Sequence, residues 1–375
     1  MKITLRTDFP GGNGRLVGVD READRSVIFF CAEPRNCPQA MWFHFRLDGL
    51  DGSPVRLVLS NAAQTLGGPN WSLNRPVWKP SGGRWRRTEK ALPVDSPSAR
   101  LQWAWDLPAG HRRIEFAHCF PYQPADLTKS LAEIESGLFQ RETLGLSMGS
   151  NELELLFHDR PSTAKPAVLL TARHHAGETP GSWVLDGLLR HLSDNPSLLE
   201  RVSWRVVPFV NIDDVVSGSY GKDPTEHDCN RGYHPLLRPE CAAVADEAQR
   251  LKHESRSLIL VDLHAPSHRE ATVFIPRRGW DLVSEINPIA EEIADRFNAA
   301  VPEDIRSPVA HRTPRPSQPS RHQGMTATRW AQEVLKIESV SVEISYQGNG
   351  RRFYEIGDYH RVGAALTDTL VDWLA

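Results

Sequence analysis

The chain of 375 residues contains no run of about 18 apolar residues, so no segment reads as a membrane-spanning helix. Its opening stretch, MKITLRTDFPGGNG, lacks the apolar core of a signal peptide, which makes a cytoplasmic location the expectation. Cysteine is scarce. Cys31, Cys37, Cys119, Cys229 and Cys241 are odd in number and include no CxxC pair. They read as reduced, mostly buried thiols, which excludes a disulfide frame or a zinc ribbon. A dominant charge is also missing. The net charge of -3 gives no bulk attraction to nucleic acid or to an anionic membrane, so neither is expected as a partner. No internal repeat is present. What remains is 40% hydrophobic and 24% charged, the profile of a globular protein long enough to bury a core.

Two textures divide the chain. Up to about Tyr122 short alternating runs, such as SVIFFCAE, MWFHFRLDG, VRLVLSNA and RRIEFAHCF, are broken by Gly, Pro, Asn and Asp. Alternation marks half-buried strands, and closely spaced turns suggest a β-sandwich. The tryptophans clustered here (Trp42, Trp71, Trp78, Trp85, Trp103 and Trp105) read as packing between sheets. After PYQPADL the apolar runs PAVLLTA, VSWRVVPFV and SLILVDL are nearly continuous, which suits central parallel strands. Helical segments lie between them: one opening at TPGSWVLDGLLRHL with Thr179 as N-cap, then Pro239–Glu254, Asp281–Asn298, Met325–Lys336 and Tyr359–Leu374. The expectation is a β-sandwich over residues 1–122 and an α/β domain with a mainly parallel sheet over 123–375. The segment Ile305–Gln323, rich in Pro, Ser, Arg and His, reads as a long loop that is either functional or mobile.

In open α/β sheets, sites lie at the carboxyl ends of strands. PAVLLTA is followed by Arg173, His174, His175 and Glu178. VSWRVVPFV is followed by Asn211, Asp213 and Asp214. SLILVDL ends at Asp262 and is followed by His264. The late strand SVSVEISY carries Glu343. Catalytic zinc sites use three ligands from His, Glu and Asp and leave one position for water. An HxxE pair at a strand-to-helix turn, with a histidine from another strand end, meets that requirement, and His175, Glu178 and His264 fit it. The motif alone is short and also suits ordinary loop polars.

These stretches, in order, resemble the zinc carboxypeptidases, and most closely their cytosolic branch, which removes glutamates from protein tails and side chains. ARHHAGETPGSWVLDGLL is similar to the first zinc motif, VPFVNIDDVVSGSYGKD…HDCNRGY to the substrate-binding segment, DLHAPSH to the third-ligand motif, and TATRWAQEVLKIESVSVEISY to the stretch ending in the catalytic glutamate. MWFHFRL, RPVWKPSGGRWRR and FAHCFPYQPADL resemble the β-sandwich that precedes catalysis in this branch. The resemblance implies a carboxypeptidase fold binding one zinc ion through His175, Glu178 and His264. Asp228 would hold His175 in the right tautomer. Asn230 and Arg231 would grip the terminal carboxylate of a peptide or protein tail. Glu343 would be the general base. His174, next to the ligand on an extended segment, should face away from the metal. Asp262 reads as a residue that tunes the site or bonds backbone, and His268 as a surface residue.

The match departs in places. The family's oxyanion-polarising arginine is replaced by the stretch Ser219, Tyr220, Gly221, Lys222, so Lys222 is expected to take that role as a compact charge. No tyrosine lies between His264 and Glu343 to close over substrate, which leaves His322 or a loop arginine as the candidate cap. Arg329 falls where the family's side-chain pocket residue lies and would favour an acidic terminal residue. Two other readings stay open: a zinc amidase or deacylase of a small N-acyl amino acid on the same scaffold, and an inactive binding module.

Overall fold

The computed structural model describes residues 2–94, 101–134, 137–223, 227–278, 287–313 and 324–375. None of the described helices is long and apolar enough to cross a membrane. The first part of the chain is built of strands. One five-stranded antiparallel sheet runs in the order Thr4–Arg6, His44–Asp48, Arg113–Ala117, Val77–Pro80, Arg86–Arg87. The other runs Arg15–Arg21, Ser26–Cys31, Val55–Leu59, Gln102–Leu107, Leu92–Val94, with one parallel pairing between Ser26–Cys31 and Val55–Leu59. Strand alternation sets the inward faces: Phe45 and Leu47 are fully buried while Arg46 between them is partly exposed. Phe30 of the second sheet lies 4.9 Å from Phe45 and 5.9 Å from Phe116 of the first, so aromatic rings fill the layer between sheets. Trp71 and Trp105 are fully buried in the same layer, with ring centroids 6.2 Å apart.

The helix Pro124–Glu133 follows, opened by a capping box in which the Asp126 carboxylate accepts the Gln123 backbone N–H at 2.8 Å. Beyond it lies a six-stranded sheet in the order Gln140–Leu146, Glu152–Phe157, Ser203–Val207, Ala167–Ala172, Leu258–His264, Glu338–Glu343. The first two strands form an antiparallel hairpin at one edge, and the last four are parallel. Ala167–Ala172, Ser203–Val207 and Leu258–His264 are buried at every residue, as their continuous apolar runs require. The architecture is therefore mixed α/β behind an all-strand N-terminal part. The helices Thr179–Asp194 and Ile356–Leu374 meet at two glycines. A Cβ on Gly187 would come within 2.3 Å of the His360 Cα, and one on Gly363 within 2.1 Å of the Val184 carbonyl.

Several elements differ from expectation. The edge hairpin was not read as strand: its outer strand QRETLGL is largely exposed, although ELELLF beside it alternates and buries Leu153, Leu155, Leu156 and Phe157. The helix expected over Met325–Lys336 is a single α turn, Ala327–Trp330, that widens over Ala331–Leu335 and ends at Lys336 with φ 57°. The helix expected over Asp281–Asn298 is described as Pro288–Ala300, capped by Asn287, and 281–286 lie outside the described residues. Residues 314–323 of the Pro-rich segment, His322 included, also lie outside them.

Two features position the site. From Ala167–Ala172 the chain passes to a neighbour on one side, Ser203–Val207, while Leu258–His264 lies on the other. This reversal of strand order opens a crevice at the carboxyl ends. The two parts of the chain also share one continuous buried apolar cluster, from Ile3 to Leu374. Polar groups cross the seam: Asn13 Nδ2 donates to the Gly218 carbonyl at 2.7 Å, and Arg87 donates to the carbonyls of Tyr354 and Tyr346 at 2.7 and 3.0 Å.

Candidate active site

At the end of Ala167–Ala172 the chain turns through Arg173 at φ 64°, a left-handed conformation rare for a bulky side chain. Arg173 is buried and over-determined. Its Nε donates to the Ala176 carbonyl at 2.7 Å, and its Nη1 to the Tyr122 carbonyl at 2.9 Å and Ser182 Oγ at 3.1 Å. Burial lowers its pKa to about 10. These bonds hold the turn that carries His174, His175 and Glu178. Thr179 is the first helical residue, not the cap as expected. Glu178 occupies the cap position, and its side chain makes no cap hydrogen bond.

The Glu178 carboxylate is committed elsewhere. Its Oε1 lies 2.9 Å from His175 Nδ1, and its Oε2 lies 2.8 Å from His264 Nδ1 and accepts the Ala265 N–H at 3.0 Å. The possible ligand atoms of His175, Glu178 and His264 all lie within 4.8 Å of one another. The outer ring nitrogens are held too. His175 Nε2 is 3.2 Å from Asp228 Oδ1, and His264 Nε2 is 2.6 Å from Asp262 Oδ2. A carboxylate on each Nε2 selects the tautomer that turns the Nδ1 lone pair inward. Burial works against the charged forms of Glu178, Asp228 and Asp262, yet the adjacent imidazoles hold all three carboxyls well below their usual range. Burial alone would push His264 down, but Asp262 and Glu178 keep it well above its usual value. Three buried carboxylates around two imidazoles make a site with surplus negative charge. Two inward nitrogens and a carboxylate, with outer partners in place, fit zinc and leave a fourth position open.

His174 and Asp262 form a second layer. His174 Nδ1 is 2.7 Å from Asp262 Oδ1, and its Nε2 is 2.7 Å from the Tyr233 hydroxyl. Thr171 Oγ1 donates to the same Asp262 oxygen at 2.8 Å. His174, Asp262 and His264 also gather closely enough to suggest a metal group. Their spacings are hydrogen-bond lengths along one relay, and that relay accounts for them. His268 is not a surface residue, contrary to expectation. It is fully buried and stacks on Trp71 of the N-terminal part at 4.3 Å and 16°. Its loop position hid a partner that lies almost two hundred residues away in sequence.

Comparison with known proteins follows this geometry. Residues 5–118 match the family described as the cytosolic carboxypeptidase N-terminal domain, and residues 125–221 match the zinc carboxypeptidases. The chain is thus similar to the zinc carboxypeptidases, and over its N-terminal part to their cytosolic branch. It is 30% identical over 266 residues to cytosolic carboxypeptidase 2 of Xenopus tropicalis, an alignment covering 62% of this chain and 27% of that protein. It is 30% identical over 267 residues to cytosolic carboxypeptidase 2 of Danio rerio, covering 62% of this chain and 37% of that one. The chain thus spans well under half the length of these relatives. Its fold is shared with a metallo-carboxypeptidase from Burkholderia cenocepacia, at TM-score 0.79 and 21% identity with 100% of both chains covered. It is shared equally with a metallo-carboxypeptidase from Pseudomonas aeruginosa, at TM-score 0.78 and 22% identity with 98% of both covered.

The chain gathers the other expected residues around the same crevice. His175, Glu178 and His264 share a cavity of about 330 Å³ with Glu343, Asn230, Arg231, Lys222 and Arg329. Glu343 is the register partner of His264 on the adjacent parallel strand, and its backbone is paired on the other side with Phe274. Asp228 does double work: beside its contact with His175, its Oδ1 accepts the Asn230 N–H at 2.8 Å, which shapes the Cys229–Arg231 turn. The Asn230 amide faces neighbours, with Oδ1 accepting the Ala327 N–H and Nδ2 at 2.9 Å from His264 Nε2. Arg231 Nη1 donates to the Asn230 carbonyl at 2.7 Å, while its buried Nε has no partner among the described residues. Lys222 Nζ lies 3.8 Å from Glu178 Oε1. Arg329 Nε donates to Glu333 at 2.9 Å.

Sequence reasoning passed over two groups that line this cavity. The Tyr220 hydroxyl lies 3.4 Å from Glu178 Oε1 and 3.2 Å from the Tyr346 hydroxyl. Burial raises both phenols well above their usual pKa, so each stays a hydroxyl. Tyr220 stands two residues before Lys222, inside the stretch already under scrutiny. Arg278, not singled out in the sequence, also lines the cavity.

Proposed function

We propose that this chain is a zinc-dependent metallocarboxypeptidase. In this reading it hydrolyses the C-terminal peptide or glutamyl bond of peptides or protein tails, holds one zinc per chain and prefers acidic terminal residues. Residues 1–122 form its β-sandwich domain and 123–375 its catalytic domain, acting in the cytoplasm like relatives whose names call them cytosolic. The observation that carries the reading is the inward pair of Nδ1 nitrogens on Glu178, each backed by its own carboxylate.

His175, Glu178 and His264 would hold the zinc, which when bound would supply Lewis acidity toward water and the scissile carbonyl. The chain's own residues do the rest. Arg231 pairs with the substrate's terminal carboxylate in the fork geometry of a guanidinium, and Asn230 adds an amide beside it. Glu343 takes the proton from the attacking water as the O–C bond forms. When the C–N bond breaks, Glu343 returns that proton to the leaving amine. Lys222 offers a positive charge near the Glu178 carboxylate for oxygen charge that develops on the carbonyl. Arg329, which lines the cavity, favours an acidic terminal residue.

Incubating zinc-loaded protein with a peptide library varied at the C-terminus, with mass spectrometry of the released residue, tests this. Stepwise loss of single C-terminal residues, acidic ones fastest, is the expected result. Hydrolysis of N-acyl amino acids without any release from peptides would refute it in favour of the deacylase reading.

A further inference from the structure

Each imidazole proposed to hold zinc has a carboxylate behind its outer nitrogen, Asp228 for His175 and Asp262 for His264. The third proposed ligand, Glu178, is held differently. Its Oε2 accepts the Ala265 N–H at 3.0 Å, whereas its Oε1 accepts the Tyr220 hydroxyl at 3.4 Å. A phenol has one proton to give. With that proton on Glu178, the Tyr346 hydroxyl, 3.2 Å from the Tyr220 oxygen, is the donor between the two tyrosines. Both side chains are buried, so the two hydroxyls in line polarise one another and strengthen the bond to the carboxylate.

The tyrosines are fixed from two directions. The Tyr220 ring lies against Gly177, where a Cβ would come within 2.3 Å of the ring Cδ2, and the Tyr220 carbonyl accepts the Gly177 N–H at 2.9 Å. A side chain at 177 would push the ring off the carboxylate. Tyr346 is fixed from the strand-rich first part of the chain. Its ring packs on His118 with centroids 4.6 Å apart, and its carbonyl accepts Arg87 Nη2 at 3.0 Å. The same guanidinium donates to the Tyr354 carbonyl at 2.7 Å and the Arg75 carbonyl at 3.0 Å, and lies 4.9 Å from the Phe120 ring centroid. The next residue, Gln347, accepts the Arg75 N–H at 2.8 Å and donates to Asn74 Oδ1 at 3.3 Å.

A guanidinium holds these carbonyls in a fixed fork that a lysine ammonium cannot reproduce. Arg87 stands on the short strand Arg86–Arg87, remote in sequence from every residue assigned to the chemistry. Its hydrogen bonds nevertheless end, through Tyr346 and Tyr220, on Glu178.

We propose that Arg87, Tyr346 and Tyr220 are positioning residues for Glu178, so that the strand-rich part of the chain sets how tightly the proposed site holds zinc. This rests on the zinc site of the carboxypeptidase reading and not on cleavage of a peptide.

The test is a chelator competition for zinc on the full chain, with the melting temperature of each metal-free protein measured alongside. Tyr220→Phe should weaken zinc binding about 10-fold, the scale for a residue behind a metal ligand, and Tyr346→Phe should weaken it by less. Arg87→Lys should weaken it in the wild-type background and add nothing in the Tyr220→Phe background, because both changes act on the same carboxylate. The same cycle with Tyr346→Phe in place of Arg87→Lys leaves the buried fork intact and decides the matter if the lysine variant does not fold. The visible spectrum of cobalt-loaded protein, which reports coordination geometry, should shift in the same variants. Lower metal-free stability with unchanged zinc affinity means that these residues hold only the seam, and overturns the assignment. Losses that add fully in the double variants also overturn it. A wild type that binds no zinc overturns both the assignment and the carboxypeptidase reading. If zinc is held and the cycles behave as expected but no peptide is cleaved, the carboxypeptidase reading fails and the assignment stands.

Discussion

The buried His268 makes the seam between the two parts of the chain sensitive to acid. Its Nδ1 lies 3.1 Å from Asn74 Nδ2 and accepts from that amide. Its Nε2 lies 3.2 Å from the Gly68 carbonyl and donates to it. One donor and one acceptor on opposite nitrogens specify the neutral ring. Burial lowers its pKa to about 4, and the Gly68 carbonyl offsets only part of that shift. The unfolded chain has a histidine near 6.5. Because the folded pKa is the lower one, the unfolded state binds more protons between these values. Stability is therefore full above about pH 6.5 and is lost as pH falls toward 4, by about 3 kcal/mol from this residue. His268→Phe keeps a flat ring against Trp71 but cannot titrate. At pH 7 it should be less stable by roughly 1–3 kcal/mol, because the Gly68 carbonyl and Asn74 lose a partner. Urea unfolding of both metal-free proteins at intervals from pH 8 to pH 4, with chelator present throughout, reads the difference directly. The gap should narrow on acidification and close or reverse near pH 4. A gap that stays constant, or widens, refutes the linkage.

Three further outcomes are expected. Glu343→Gln should retain zinc by elemental analysis and lose roughly 100- to 10,000-fold in kcat, and undiminished activity would remove the general-base role. His175→Ala should fail to hold zinc. His174→Ala should hold zinc but melt earlier, having lost buried bonds to Asp262 and Tyr233 each worth about 1 kcal/mol. The reverse pattern would exchange the two histidines. Asp228→Asn should weaken zinc binding by roughly 10- to 100-fold in a chelator competition, since His175 loses its outer carboxylate. Equal affinity would show that Asp228 serves only the Cys229–Arg231 turn.

Much of the architecture was legible because continuous apolar runs and short alternating ones leave different traces. The parallel strands Ala167–Ala172 and Leu258–His264 stand out in this way, and polar residues at their ends mark the crevice. The outer strand of the edge hairpin, QRETLGL, did not stand out because an exposed rim lacks either pattern, whereas ELELLF beside it carries a short alternation that was passed over. The crevice's outer layer was harder still. Nothing local in DLHAPSH tells that Asp262 bridges two imidazoles, or that Trp71 covers His268, since both facts depend on distant chain. Arg173 follows an apolar strand as any loop arginine does. Its burial shows only when the carbonyls of Ala176 and Tyr122 converge on it.

The continuous apolar cluster bears on how separable this architecture is. Leu66 and Gly67, from the strand-rich N-terminal part, help to wall the cavity. Trp71 covers His268, and Arg87 reaches the carbonyls on either side of the Tyr346–Tyr354 segment. Residues 123–375 cut away from the rest would lose a wall of the cavity and uncover apolar surface along the whole seam. The two parts are thus one physical unit: altering the loop around Gly67 would reshape a wall of the cavity, and exchanging the first part for an unrelated one would open the seam.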